Sequence, residues 1–255
     1  MKLATWNVNS LNVRLRQVLE FLAARKPDVL CLQETKLEDA KFPVADFTGA
    51  GYQAVFAGQK TYNGVAILSR LPPQEVTIGI AEFEDPQKRV ISALVNGVRI
   101  ICIYIPNGEN VESAKYLYKL DWLRRLNACM KEEMARHPRL AVLGDYNIAP
   151  EERDVHDPNF WTGRVLFSEL ERAAFGEMLA LGLRDSFRLF EQPAKSYSWW
   201  DYRMNGFKRN LGLRIDHILL TAELAKACKS CTIDRDLRAN ERPSDHAPVM
   251  VEIET

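Results

Sequence analysis

Short apolar runs alternate with helical patterns along the whole chain. Residues 3–6, 29–32, 52–56, 65–68, 90–95, 98–105, 140–143, 215–220 and 249–253 have the length and the branched or aromatic character of strands. Asn96-Gly97 lies between two such runs, and that dipeptide favours a type I′ hairpin because both turn positions need positive φ. Helical spacing appears at Leu11, Leu15, Val18, Leu19 and Leu22 and stops at Pro27. A second helix is predicted over about 113–136, with Leu117, Leu120, Leu123 and Leu126 on its apolar side. A third starts at the capping box Ser168-x-x-Glu171, turns Phe175, Leu179 and Leu181 inward, and stops at Gly182.

Strands mixed with helices, including a hairpin, imply a mixed sheet or a pair of sheets. No Gly/Ser-rich linker, charge block or low-complexity tract interrupts the chain, so residues 1–255 are expected to form one domain. The stretch 150–167 has few periodic apolar positions and reads as a long loop, a kind of segment that is often functional. No apolar run approaches the roughly 20 residues of a membrane span, and the N-terminus turns polar too early for a secretory signal. A cytoplasmic protein without a membrane partner is expected.

Charge narrows the reading. With 34 basic and 34 acidic residues the formal net charge is zero, which argues against a purely electrostatic nucleic-acid binder. It leaves room for a local basic face beside an acidic centre. The five cysteines are scattered, and Cys228-x-x-Cys231 has no second pair and no nearby histidine; reduced, packed thiols are expected rather than a zinc or redox site.

The strongest chemical signal is positional. Five apolar runs end on, contain or follow an oxygen-bearing side chain: Asn7, Glu34, Asp145 with Asn147, Asp216, and Asp245 in Ser-Asp-His. Any one alone is most simply a turn former or helix cap. Five together suggest strand ends that meet on one edge. Converging carboxylates need a cation or a shared proton. A set rich in oxygen and lacking cysteine suits a hard divalent ion such as Mg²⁺, which serves phosphoryl chemistry by neutralising phosphate charge. His246 adjoins Asp245, and an acidic partner such as Asp216 would orient it. His137, His156 and His217 are read as structural.

A second signal is the segment 195–214, in which five basic residues stand against one acidic residue and interleave with Trp199, Trp200, Tyr202 and Phe207. Basic and aromatic residues on a non-periodic loop suit backbone contact and stacking on an exposed base or sugar. The plain alternative is a surface hairpin whose aromatics pack inward.

At these residues the chain resembles the exonuclease III family of bacterial DNA-repair nucleases, within the endonuclease/exonuclease/phosphatase superfamily. The stretches TWNVNSL (5–11), LQETK (32–36), NGVAILSR (63–70), YIPNG (104–108), LGDYNIAP (143–150), SWWDYR (198–203), GLRIDHIL (212–219) and PSDHAP (243–248) carry the likeness, in family order and over essentially the whole chain. The resemblance implies a four-layer α/β sandwich, two mixed β-sheets face to face with helices outside. It implies Glu34 as principal metal ligand, with Asn7, Asn9, Asp145, Asn147 and Asp245 around Mg²⁺, for which Mn²⁺ could substitute. Asp145 would activate water, Asn147 and Tyr104 would bind phosphate, and Asp216 with His246 would form a dyad whose imidazole contacts it. Arg89 and Asn107 would line the DNA face. Trp199, Leu213 and Ile215 match the apolar pocket for a flipped abasic sugar, and Arg203, Lys208 and Arg209 lie in the basic segment beside it. The implied partner is double-stranded DNA with an abasic site, nick or blocked 3′ end, bound by a monomer. Tyr146 stands where relatives often carry Phe or Met. The 151–167 segment carries Phe160, Trp161, Leu166 and Phe167, which could narrow the pocket, so the balance of abasic-site incision, 3′-phosphatase and 3′→5′ exonuclease action stays open. A small-molecule or lipid phosphatase is the alternative enzyme, and an inert DNA-binding scaffold the alternative from another class.

Overall fold

The computed structural model describes residues 1–254. Twelve of its fourteen described strands, numbered in chain order, form two mixed six-stranded sheets, and β10 (Trp199–Trp200) and β11 (Gly212–Leu213) pair separately. The first runs β13 (Cys228–Ile233), β14 (Val249–Ile253), β1 (Lys2–Asn7), β2 (Val29–Gln33), β4 (Val65–Ser69) and β3 (Gln53–Ala57) from edge to edge. The second runs β5 (Gln74–Ile78), β6 (Val90–Val95), β7 (Val98–Tyr104), β8 (Leu140–Asp145), β12 (Asp216–Leu220) and β9 (Arg184–Asp185). Pairs β1–β2 and β7–β8 are parallel, and the other neighbours are antiparallel.

Side chains alternate between the faces of a strand, and that alternation builds the layers. Leu3, Cys31 and Ile67 of the first sheet meet Ile91, Ile100, Cys102, Leu143 and Ile218 of the second in one buried cluster. On the outer faces, Ala4, Trp6, Leu30 and Leu32 pack under α1 (Leu11–Arg25) and α2 (Val44–Gly49). Ile101, Ile103, Val142 and Leu219 pack under α3 (Ala114–Arg136) and, further along the chain, α5 (Glu169–Ala180). This is the four-layer α/β sandwich. The inward positions of β1, β7, β8 and β12 end on Asn7, Tyr104, Asp145 and Asp216, so a polar layer caps the apolar stack at one end. Register keeps them level, since Asp145 pairs with Tyr104 on one side and Asp216 on the other.

Local signals acted as expected at several points. Asn96 and Gly97 both take positive φ in the β6–β7 hairpin. Ser168 and Glu171 form a reciprocal capping box at the start of α5. Other expectations need correction. Leu117 is 68% exposed; the buried side of α3 carries Tyr116, Lys119, Trp122, Leu123, Leu126 and Met130, and the buried lysine disguises the stripe. Strand β5 is exposed throughout, so it has no apolar pattern to read, and β13 breaks its alternation at a register shift between Cys228 and Ser230. The 150–167 loop is less bare than expected, holding a 3₁₀ turn at Glu152–Asp154 and the one-turn helix α4 (Pro158–Trp161). Another short helix, α6 (Ala222–Ala227), was also not foreseen. All five cysteines are free, as expected, and burial pushes the Cys231 thiol up to about 12. No helix among the described residues is long and apolar enough to cross a membrane.

Candidate active site

The polar layer closes into one hydrogen-bonded cluster. Asn7 Nδ2 donates to Glu34 Oε1 at 2.8 Å and to Asp145 Oδ2 at 2.9 Å, bridging the two sheets. Asp145 also accepts from the Asn147 backbone N–H at 2.9 Å and from Asn147 Nδ2 at 3.2 Å. Asn147 reaches back in the turn that follows β8, where it takes positive φ two residues beyond Asp145. His246 is held through Nδ1, which lies 2.9 and 3.1 Å from the two oxygens of Asp216. Its Nε2 then points to Asp145 Oδ2 at 3.7 Å. Two buried serines brace this arrangement. Ser244 Oγ donates to the Asn7 carbonyl at 2.6 Å and accepts from the His246 N–H, while Ser198 Oγ accepts from the N–H groups of Ile215 and Asp216.

Electrostatics follow from burial and proximity. Burial pushes the Asp145 carboxyl up, with the Asp216 and Glu34 carboxylates adding to the rise against the opposing pull of His246. His246 feels the opposite balance: burial pulls its pKa down, but the Asp216 and Asp145 carboxylates outweigh it and hold the imidazole protonated. The Tyr104 hydroxyl is pushed far up by burial and the neighbouring carboxylates, so it remains a neutral donor.

The donor set fits a hard cation. One ligand atom each from Glu34, Asp145 and His246 lie within 4.8 Å of one another. With His246 protonated and tied to Asp216, carboxylate and amide oxygens are the available ligands, the chemistry that Mg²⁺ and Mn²⁺ take. Glu34 is partly exposed, and Lys36 Nζ sits 2.8 Å from its Oε2 and 2.6 Å from Asn9 Oδ1. Asp245 and Asn9 lie to one side. Asp245 accepts from Asn9 Nδ2 at 2.9 Å and from Trp199 Nε1 at 3.0 Å, and its low pKa, maintained against burial, owes most to His246.

Two hollows flank the cluster. Arg89, Tyr104 and Asn107 line a cleft of about 420 Å³, where the Arg89 guanidinium lies 4.6 Å over the Tyr104 ring and Asn107 Nδ2 donates to Asn147 Oδ1 at 3.1 Å. On the other side Trp199, Arg203 and Arg209 line a hollow of about 530 Å³ with His156, Phe160 and Trp161. Leu213 and Ile215 do not face this hollow. They are fully buried with Ala149, Val155, Leu166 and Phe167, and Trp199, which pairs with Leu213 between β10 (Trp199–Trp200) and β11 (Gly212–Leu213), lies over them.

The basic aromatic segment divides. Arg203, Lys208 and Arg209 are exposed, whereas Trp200 is buried against Phe207. Arg214 is also withdrawn, bound to Asp154 at 2.6 Å and Asp185 at 2.8 Å inside the protein. His156, read as structural, contributes to the wall beside Trp199. Lys36, Ser198 and Ser244 lie inside the stretches LQETK, SWWDYR and PSDHAP without an expected role of their own, and Lys119 gives no signal because a lysine at a helix position ordinarily reads as solvated.

The Endonuclease/Exonuclease/phosphatase family model matches residues 4–246. Exodeoxyribonuclease III of Haemophilus influenzae is 36% identical, with 99% of each chain covered. Among solved structures, the 3′ phosphatase NExo from Neisseria bound to product DNA hairpin is 50% identical with a TM-score of 0.98 over 100% of both chains. An AP endonuclease from Archaeoglobus fulgidus is 40% identical with a TM-score of 0.96, again over 100% of both chains.

Proposed function

This chain belongs to the endonuclease/exonuclease/phosphatase family, and from that premise we propose that it is a Mg²⁺-dependent DNA-repair nuclease of the exonuclease III kind. In this reading it hydrolyses phosphodiester or phosphomonoester bonds at abasic sites, nicks and blocked 3′ ends of duplex DNA, as a cytoplasmic monomer whose residues 1–255 form one domain. The observation that carries the proposal is the convergence of Glu34, Asp145 and His246 at the sandwich end, bridged by Asn7.

A divalent metal held by Glu34, with Asp145 and the neighbouring amides, would neutralise phosphate charge. Asp145, aligned by Asn7 and Asn147, takes the proton of the attacking water as its oxygen bonds to phosphorus and the P–O bond on the leaving side breaks. His246, kept cationic by Asp216, stabilises the extra charge on the phosphate oxygens, and Asn147 and Tyr104 contribute neutral donors. Arg89 and Asn107 on one side, with Arg203, Lys208, Arg209 and Trp199 on the other, would follow the DNA backbone.

Rates on abasic, 3′-phosphate and recessed 3′-hydroxyl duplexes, measured in one Mg²⁺ buffer beside an inositol phosphate, test this reading. Cleavage of DNA with little action on the inositol phosphate is expected. Preference for the inositol phosphate would overturn it in favour of a small-molecule phosphatase.

A further inference from the structure

Lys119 is completely buried in α3, and its ammonium group satisfies three acceptors drawn from three separate segments. It donates to the Asn107 carbonyl at 3.1 Å, to the Asn147 carbonyl at 2.7 Å and to Glu171 Oε1 at 2.5 Å. An ammonium has three donors, so none is left over. Glu171 is also completely buried, and its carboxylate accepts the backbone N–H groups of Leu166 and Ser168, both at 3.0 Å.

Leu166 is a branched residue at φ 76, a conformation that persists only when its surroundings hold it. The Glu171 carboxylate takes its N–H, and its carbonyl accepts the N–H of Ala149 at 2.7 Å, two residues beyond Asn147. Leu166 and Phe167 belong to the apolar cluster that supports Trp199. Gly108, at φ 93, completes the packing, because a side chain there would press on Lys119 Cδ at 3.2 Å and Val165 Cγ2 at 3.1 Å.

Stability alone does not account for such a pair. Desolvating two charges is costly, and a well-packed apolar pair of the same size is often as stable or more so. What an apolar pair cannot do is fix two backbone carbonyls and a strained turn in one geometry. We propose that the Lys119–Glu171 pair is a positioning device for the reaction, holding the Asn107–Asn147 amide pair and the Leu166–Phe167 wall in fixed relation. Through it, the phosphate-binding amides stay aligned with the surface that supports Trp199. This rests on the nuclease reading only for the role given to Asn107 and Asn147.

Lys119→Met/Glu171→Leu removes both charges together and avoids leaving one buried alone. The expected protein melts within a few degrees of wild type but exchanges its Asn147 side-chain amide hydrogens at least about tenfold faster, since a network member has lost its support. On a 3′-phosphate duplex kcat is expected to fall about tenfold or more with KM changed less than about threefold, the pattern of lost transition-state alignment. In an Asn147→Ala background the same pair of changes should lower single-turnover rates less than about twofold, because both act through one residue. Unchanged amide exchange, or an undiminished rate loss in the Asn147→Ala background, overturns the proposal. If the double variant does not fold, Glu171→Gln is measured in the same way, with loss of amide protection expected and its absence contradictory. Should wild-type protein cleave no DNA at all, the nuclease reading fails while the exchange measurement still decides this one.

Discussion

At the scale of single residues, the account turns on one carboxylate and one dyad. Asp145 is almost without solvent exposure, aligned by Asn7 and Asn147, and near His246. Asp145→Asn keeps the shape and removes the base, so kcat should drop by at least about 10²-fold with KM nearly constant. A loss confined to KM in steady-state assays would show that Asp145 binds rather than activates. His246→Ala and Asp216→Ala should each lower kcat, and the double variant should be little worse than either, since His246 Nδ1 has Asp216 as its partner. Additive losses would break the dyad. These residues were legible in sequence because each stands at the end of an apolar run, where a polar side chain needs a reason. Lys119 was not, because its use depends on contacts distant in sequence.

At the scale of elements, the visible pattern was burial rather than hydrogen bonding. β1, β2, β7, β8, β12 and β14 are fully or alternately buried and were readable; β5 is exposed and β9 has two residues, so neither carries a usable period. Within GLRID, Arg214 turns inward to Asp154 and Asp185, and Leu213 and Ile215 are buried in the apolar cluster against which Trp199 packs. The same network controls His217, whose Nδ1 lies 2.9 Å from Arg214 Nη1 and whose Nε2 is 2.8 Å from the Ile148 carbonyl. Burial, then the Arg214 charge, lowers its pKa to about 4 against the opposing pull of Asp185 and Asp154, with the Tyr146 ring packed edge-on beside it. The folded protein therefore keeps the imidazole neutral while the unfolded chain protonates near pH 6.5. Stability from this group is full above pH 6.5 and is lost as pH falls toward 4, by about 2 kcal/mol between pH 7 and pH 5. Urea unfolding at both pH values should show that loss in wild type and a smaller one in His217→Gln. Equal pH dependence in the two proteins would remove His217 from the network's energetics.

At the scale of the whole molecule, charge is balanced overall and uneven locally. The zero net charge leaves only modest long-range attraction for DNA, and withdrawal of Arg214 trims the basic segment to Lys195, Arg203, Lys208 and Arg209 at the surface, with Arg89 across the site. Binding should weaken with salt on a shallow slope, as expected for about 3–6 phosphate contacts. A slope near zero in fluorescence anisotropy would point to a small-molecule substrate. The central claim is that the layer capping the sandwich is one metal-dependent hydrolytic centre. Its most direct test is the rate of 3′-phosphate and abasic-duplex hydrolysis by the purified protein as Mg²⁺ is titrated from excess EDTA, for wild type and Glu34→Ala. Activity should be absent in EDTA and restored by Mg²⁺ or Mn²⁺, with Glu34→Ala requiring far more metal. Full hydrolysis in EDTA, or a Glu34→Ala titration that overlays wild type, would contradict it.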